Sequence, residues 1–343
     1  MEYEKFKEQF VEDLKERLEA GGEKFSVDLN AVQKMNQNYE AVTVKPEDAI
    51  IGVNLNMTEI YERYDRGMSY DTLVSEVAEK ADRALHDRPD FNLDALQDYD
   101  QMKEKLSMEV VSAERNADLL EKVPHKNMED MAVVYRFVLD TDSEGRGSIL
   151  VTNQLMDNYG ITAEQLHSDA LQYAPVMRPA VIQTMAETLL EMMGPEAKDM
   201  IPVLPDDPLF VATVPDKIQG AGVLAYQDFM EQAAERVGGD FFILPSSIHE
   251  ILLVRDDGTF DINHLEDMVK QVNETEVAPE DLLTDSVYHY DSKEKIFELA
   301  EKYEERTASR KRESTLDKLQ EKSCDHIAKD IGSRPIARGG EAL

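Results

Sequence analysis

Apolar residues at Tyr3, Phe6, Phe10, Val11, Leu14 and Leu18 are spaced by three and four with charges between them, which predicts an amphipathic helix over residues 3–20 that Gly21-Gly22 ends. The period then changes to two. Phe25 to Leu29, Tyr39 to Val44 and Ala49 to Leu55 read as a small meander of strands, with Ile51, Val53 and Leu55 alternating against Gly52, Asn54 and Asn56. Helical spacing returns at Ile60, Tyr61 and Tyr64 and stops at Gly67. It restarts behind Ser69, a hydroxyl suited to capping, through Leu73, Val74, Val77, Ala81 and Leu85.

A second strand-rich stretch opens at Leu106 to Ala113. Met131 to Leu139 follows, with Ser148 to Thr152 expected to pair with it across the turn Asp142 to Gly147. Helices are expected at Thr162 to Tyr173 and Pro179 to Met193, then a loop through Gly194-Pro195, Pro202, Pro205 and Pro208. Leu209 to Val214 reads as a strand and Leu224 to Val237 as a helix. Phe241 to Leu244 and Glu250 to Val254 are strands around a Pro-Ser-Ser turn, Asn263 to Val272 is a helix, and Ser286 to Tyr290 is a short strand. The expected class is α+β, with two small mixed or antiparallel sheets packed with helices, plus a helical C-terminal tail. Because 343 residues exceed what one core usually organises, the chain divides into an N-terminal α+β unit (1–105), a second sheet-and-helix unit (106–292) and a charged tail (293–343). The tail is read as helical through Ile296, Leu299 and Tyr303 and again through Leu316, Leu319 and Ile327, with disorder from about residue 332.

Charge changes the picture most. There are 71 acidic and 37 basic residues, a formal charge of −34, and the acidity lies entirely ahead of the tail, which carries 12 basic and 11 acidic residues. A surface this negative repels phosphate, so direct binding to nucleic acid or to anionic lipid is not expected, and a basic protein partner is. The one cysteine, Cys324, can form neither an intramolecular disulfide nor a thiolate zinc site, which suits a cytoplasmic location. The chain opens Met-Glu-Tyr-Glu-Lys without the apolar core of an export signal, and no stretch approaches the roughly 20 apolar residues of a membrane span.

Candidate chemistry centres on Ser246, Ser247, His249 and Glu250, where a nucleophile, a base and an acid fall within five residues, with Asp285 or His289 as further help for a hydrolase. Against that stands a turn whose serines cap backbone groups, since triad members usually converge from separate loops and no Gly-x-Ser-x-Gly elbow is present. No metal and no cofactor is expected: His249-Glu250 lacks the second histidine of a zinc helix, and Asp256 to Asp261 lacks the distal glutamate of a calcium loop. Gly220 and Gly222 stand between a strand and a helix, where backbone N–H groups suit an anion, although neither a third glycine nor a phosphate-loop lysine follows. Tyr226, Asp285, Tyr288 and Tyr290 complete a candidate binding set rich in tyrosine and carboxylate. The methionines Met185, Met192 and Met193 suit either an adaptable apolar groove or plain core.

Three separated segments carry a resemblance: Gly220 to Tyr226, Asp240 to Glu250 and Leu282 to Tyr290. Over about residues 1–291 the chain resembles uncharacterised bacterial proteins, frequent in gut Firmicutes and their mobile elements, grouped as a domain of unknown function. The resemblance implies an intracellular bacterial α+β protein and no reaction. Thr213-Val214-Pro215 departs from the asparagine that such proteins usually carry there. The resulting expectation is a non-enzymatic acidic interaction protein that binds a basic partner, in its sharper form as a nucleic-acid mimic, with a hydrolase at Ser246, Ser247, His249 and Glu250 as the alternative.

Overall fold

The computed structural model describes residues 1–34, 36–47, 52–86, 95–142, 145–194, 200–201, 207–310 and 312. Helix α1 (Tyr3–Glu19) buries Phe6, Phe10 and Leu14, one stripe at a spacing of four, against the hairpin of β1 (Phe25–Lys34) and β2 (Gln37–Pro46). Val27 pairs with Val44 and Leu29 with Val42, so the hairpin turns one apolar face to the helix. Strand β3 (Val53–Asn56) adds to β2 and runs straight into α2 (Met57–Asp65), where the Asn56 side chain accepts from the N–H groups of Thr58 and Glu59. Helix α3 (Tyr70–His86) starts with the Ser69 hydroxyl accepting from Thr72 N–H at 3.2 Å, as its sequence suggests. These elements enclose one apolar cluster, from Phe6 to Leu85.

The short α4 (Tyr99–Met102) leads into a four-stranded sheet. Strand β4 (Leu106–Ser112) is followed by α5 (Ala117–Leu120), β5 (His125–Met128), β6 (Met131–Asp142) and β7 (Gly145–Leu150). The long β6 pairs with β4 on one side, and with β5 and then β7 on the other. After α6 (Asn153–Tyr159) and α7 (Ala163–Met177) come β8 (Val181–Thr184), α8 (Met185–Met193), β9 (Leu209–Thr213), a 3-10 helix (Gly220–Ala225) and α9 (Phe229–Val237). The order ends with β10 (Phe241–Leu244), β11 (Ile251–Arg255), α10 (Ile262–Thr275), β12 (Tyr288–Asp291) and β13 (Ile296–Leu299). Six of these strands form a third sheet in the order β13-β12-β10-β11-β9-β8, antiparallel throughout. Helix α7 and the 3-10 helix lie against β4, so Met108, Tyr135 and Phe137 of the four-stranded sheet share one core with Phe210, Phe241 and Tyr288 of the six-stranded sheet.

The class is α+β, and three antiparallel sheets stand where the sequence suggests two. Several elements differ from the pattern reading. Pro179 to Thr184 is not the first half of a helix: Val181 to Thr184 pairs with Phe210 to Thr213, and α8 starts only at Met185, behind the N-cap Thr184, whose hydroxyl and the carboxylate of Glu187 cap each other's backbone. Leu224 to Val237 is broken at Tyr226, which ends the 3-10 turn. Strand β5 and helix α6 have no counterpart in the sequence pattern, β5 because its Lys126 and Asn127 face solvent on an edge. Ile296 to Leu299, read as helix from its spacing to Tyr303, pairs with β12 instead, and Phe297 stacks on Tyr288 at 5.1 Å. Residues 300–310 are helical and return over that sheet, with Ala300 fully buried. The expectations for Ala49 to Ile51, for Pro195, Pro202 and Pro205, for the tip of the Asp142 to Gly147 turn, and for the tail from Glu313 onward lie outside the described residues.

Candidate functional site

His249 stands where the segment after β10 returns towards β11, and both of its ring nitrogens are engaged. The backbone N–H of Gln219 donates to Nδ1 at 3.1 Å, which makes Nδ1 the acceptor and puts the ring proton on Nε2, from where it donates to Asp281 Oδ1 at 3.0 Å. The His249 carbonyl accepts from Thr213 Oγ1 at 2.8 Å and from Gly220 N–H at 3.0 Å. Its backbone N–H donates to Ser247 Oγ at 3.0 Å. Ser247 bridges to Leu282, and the Ser246 carbonyl accepts from Leu283 N–H, so the two serines tie down the Asp281 to Leu283 segment. Lys217 and Gln219 sit at φ of 54° and 55°, a left-handed backbone that non-glycine residues hold only when their surroundings demand it. Here His249 holds one end of that loop, and Arg178, which donates to the Ile218 carbonyl and to Asp216, holds its middle.

This geometry does not assemble a hydrolytic triad. A general base needs a free nitrogen facing a hydroxyl, and His249 has none, because one nitrogen accepts from the backbone and the other donates to a carboxylate. The acid at its side is Asp281 rather than Glu250, which is exposed. Asp281 lies 32 residues downstream, and no local signal in the sequence connects it to His249.

The glycine turn serves packing. A Cβ on Gly220 would overlap Thr213 Oγ1 and the His249 carbonyl oxygen, and one on Gly222 would overlap the Met108 carbonyl oxygen of β4. The N–H groups that an anion would need are taken: Gly220 donates to His249, Ala221 to Ile248 and Gly222 to Gln219. Tyr226 is buried with its hydroxyl donating to the Arg178 carbonyl at 2.8 Å, and Tyr288 is fully buried with its hydroxyl on Asp130. Burial, followed by that carboxylate, pushes the Tyr288 phenol well above its ordinary range, and burial also raises Tyr290, which packs on Phe241. Neither phenol offers a face to a partner. Asp285 alone of the candidate binding set is exposed, and it accepts from Asn273 Nδ2 at 2.6 Å.

Two further polar nodes pair the candidates Tyr288 and His289 with carboxylates distant in sequence. Asp130 accepts from the hydroxyls of Thr284, Ser286 and Tyr288, joining the β5–β6 turn to the approach of β12. Fully buried His289 donates from Nε2 to Asp256 Oδ2 at 3.1 Å and is stacked on Tyr303 at 3.5 Å. That hydrogen bond holds the Asp256 carboxyl below the usual range, against the burial that opposes it. Among the described residues, no group of three or more His, Cys, Asp or Glu side chains is placed to hold a metal ion, and no helix is long and apolar enough to cross a membrane.

No curated protein and no solved structure matches the chain. A family model does match, and it covers residues 3–292, which hold all three sheets except β13 as well as the His249 node, so the chain belongs to the family of unknown function DUF5688.

Proposed function

We propose that this protein is a non-enzymatic, acidic interaction protein that binds a basic protein partner. The observation that carries the reading is the charge of −34, set by 71 acidic against 37 basic residues, which attracts cationic surfaces and repels phosphate. The engaged ring nitrogens of His249 and the committed N–H groups of Gly220, Ala221 and Gly222 favour it over the hydrolase and anion-binding alternatives. In the sharper form, surface carboxylates imitate a phosphate track and occupy the cleft of a nucleic-acid-binding protein, a role that would serve a bacterial mobile element. A single cysteine is consistent with action in the cytoplasm.

Affinity capture at low and at moderate salt tests this. The expected result is recovery of a basic protein whose retention falls as screening increases, and whose own binding to nucleic acid is competed by this chain. Recovery of neutral or acidic partners alone, insensitive to salt, overturns the reading.

A further inference from the structure

We propose that the groove between the β1–β2 hairpin and α5 is the dock for a basic, amphipathic segment of a protein partner. This rests on the acidic-partner reading above and assigns that partner a place on the surface. The groove has a volume of about 670 Å³, within the roughly 300–1,000 Å³ of pockets that enclose a ligand. Its hairpin wall presents Val32 and its register partner Tyr39, which strand alternation puts on one face as an apolar and aromatic surface. Carboxylates flank that face. Asp118 and Glu121 stand on the opposite wall, and Glu40 projects with Ala31 from the other face of the hairpin, towards α1.

The three carboxylates are not equivalent. Glu40 already receives Lys7 at 3.0 and 2.8 Å and Tyr3 at 3.2 Å. Asp118 and Glu121 are exposed and make no ion pair among the described residues, and Lys122, itself engaged, is the cation among the described lining residues. An apolar wall opposite two unspent carboxylates matches a segment that places a lysine or arginine beside an apolar side chain. The cation meets Asp118 and Glu121 while its aliphatic stem lies along Val32 and Tyr39. The walls are held in place before binding, because Asn36 at the end of the hairpin and Asn116 at the start of α5 exchange two hydrogen bonds of 2.7 Å. Such preorganisation lowers the ordering cost of association.

The test uses the full chain and a short fluorescein-labelled peptide of alternating lysine and leucine, titrated by fluorescence anisotropy at about 50 mM salt, where screening is modest. The double substitution Asp118→Asn with Glu121→Gln should weaken binding by about tenfold or more. Val32→Arg, which puts a guanidinium beside Tyr39 on the face that the segment would occupy, should do the same. Glu8→Gln with Glu12→Gln on the exposed side of α1 removes the same net charge elsewhere, and should change affinity by less than about twofold if the site is local. Equal loss in the groove variants and in the α1 control overturns the groove and leaves the acidic-partner reading standing. Absence of peptide binding to the unaltered chain also overturns the groove, and the salt-dependent capture experiment then decides the broader reading separately. Circular dichroism of each variant verifies that the fold persists, and the Asp118→Asn with Glu121→Gln arm stands even if Val32→Arg fails to fold.

Discussion

Asn36 and Asn116, eighty residues apart, satisfy each other: the backbone N–H of Asn36 donates to Asn116 Oδ1, and Asn116 Nδ2 donates to Asn36 Oδ1, both at 2.7 Å. Asn36 Nδ2 also donates to the carbonyls of Glu280 and Leu282 at 2.9 Å. The pair therefore joins the apolar cluster of Phe6 to Leu85 to the larger body, through a residue at φ of 58° that asparagine tolerates better than most. Asn36→Gly keeps that backbone and removes the side chain, and Asn116→Ala removes the buried partner. Each should cost about 1–3 kcal/mol, with a coupling of about 1 kcal/mol between them in a double-mutant cycle read by urea unfolding. Strictly additive losses would show that the hairpin is held by other contacts.

His249→Ala should lower unfolding free energy by about 1–3 kcal/mol, because it strands the Gln219 N–H and the Asp281 carboxylate together. Thermal melting beside a screen of ester, phosphoester and peptide substrates checks this. Unchanged stability, combined with a wild-type hydrolytic activity that the variant lacks, would reinstate the hydrolase.

Gly222→Ala should destabilise by about 2 kcal/mol or more, since the new methyl must displace the backbone of β4 at Met108 rather than a flexible side chain. A melting temperature equal to wild type would show that β4 and the 3-10 helix separate easily, contrary to their shared core.

Truncation after Ser292 removes β13 and the helical residues 300–310. It uncovers Tyr288 where Phe297 stacks and His289 where Tyr303 stacks, and it takes Arg306 from Asp291. The truncated chain should melt at a distinctly lower temperature, or with lost cooperativity, in calorimetry. Identical melting would make those contacts dispensable.

Asp256 has a folded-state pKa below its unfolded value, held there first by the hydrogen bond from His289. Its contribution is therefore fully present above the unfolded carboxyl value of about 3.9 and is lost as pH falls through the lower folded value. Unfolding free energy measured from neutral pH down into that acid range should fall less steeply for Asp256→Asn than for the wild type. Parallel curves would show that the His289 contact does not favour the ionised form.

Much of the local architecture was legible without coordinates, for a physical reason. Phe6, Phe10 and Leu14 mark one helical face, Ile60 and Leu73 to Leu85 mark two more, and Val27, Val42 and Val44 mark a half-buried hairpin, because a single period decides which face meets the core. Ser69 as a cap was equally plain. Thr184 and Glu187 carry a capping-box signal that marks the start of α8 against the helical spacing from Pro179. Where two periods compete over four residues, as at Ile296 to Leu299, local pattern cannot decide, and pairing with Tyr288 to Asp291 did.

The candidate site divides along the same line. Sequence alone established the α+β class, the charge of −34 and the polar cluster at Ser246 to Glu250, since composition and short-range spacing are properties of the chain itself. It could not show that His249 faces Asp281 instead of Glu250, that Gly222 exists to admit Met108, or that Tyr288 and Tyr290 are interior residues. Those are relations between segments far apart in the chain, and only the packing of the two sheets into one core brings them within the few ångströms over which hydrogen bonds and steric contact act.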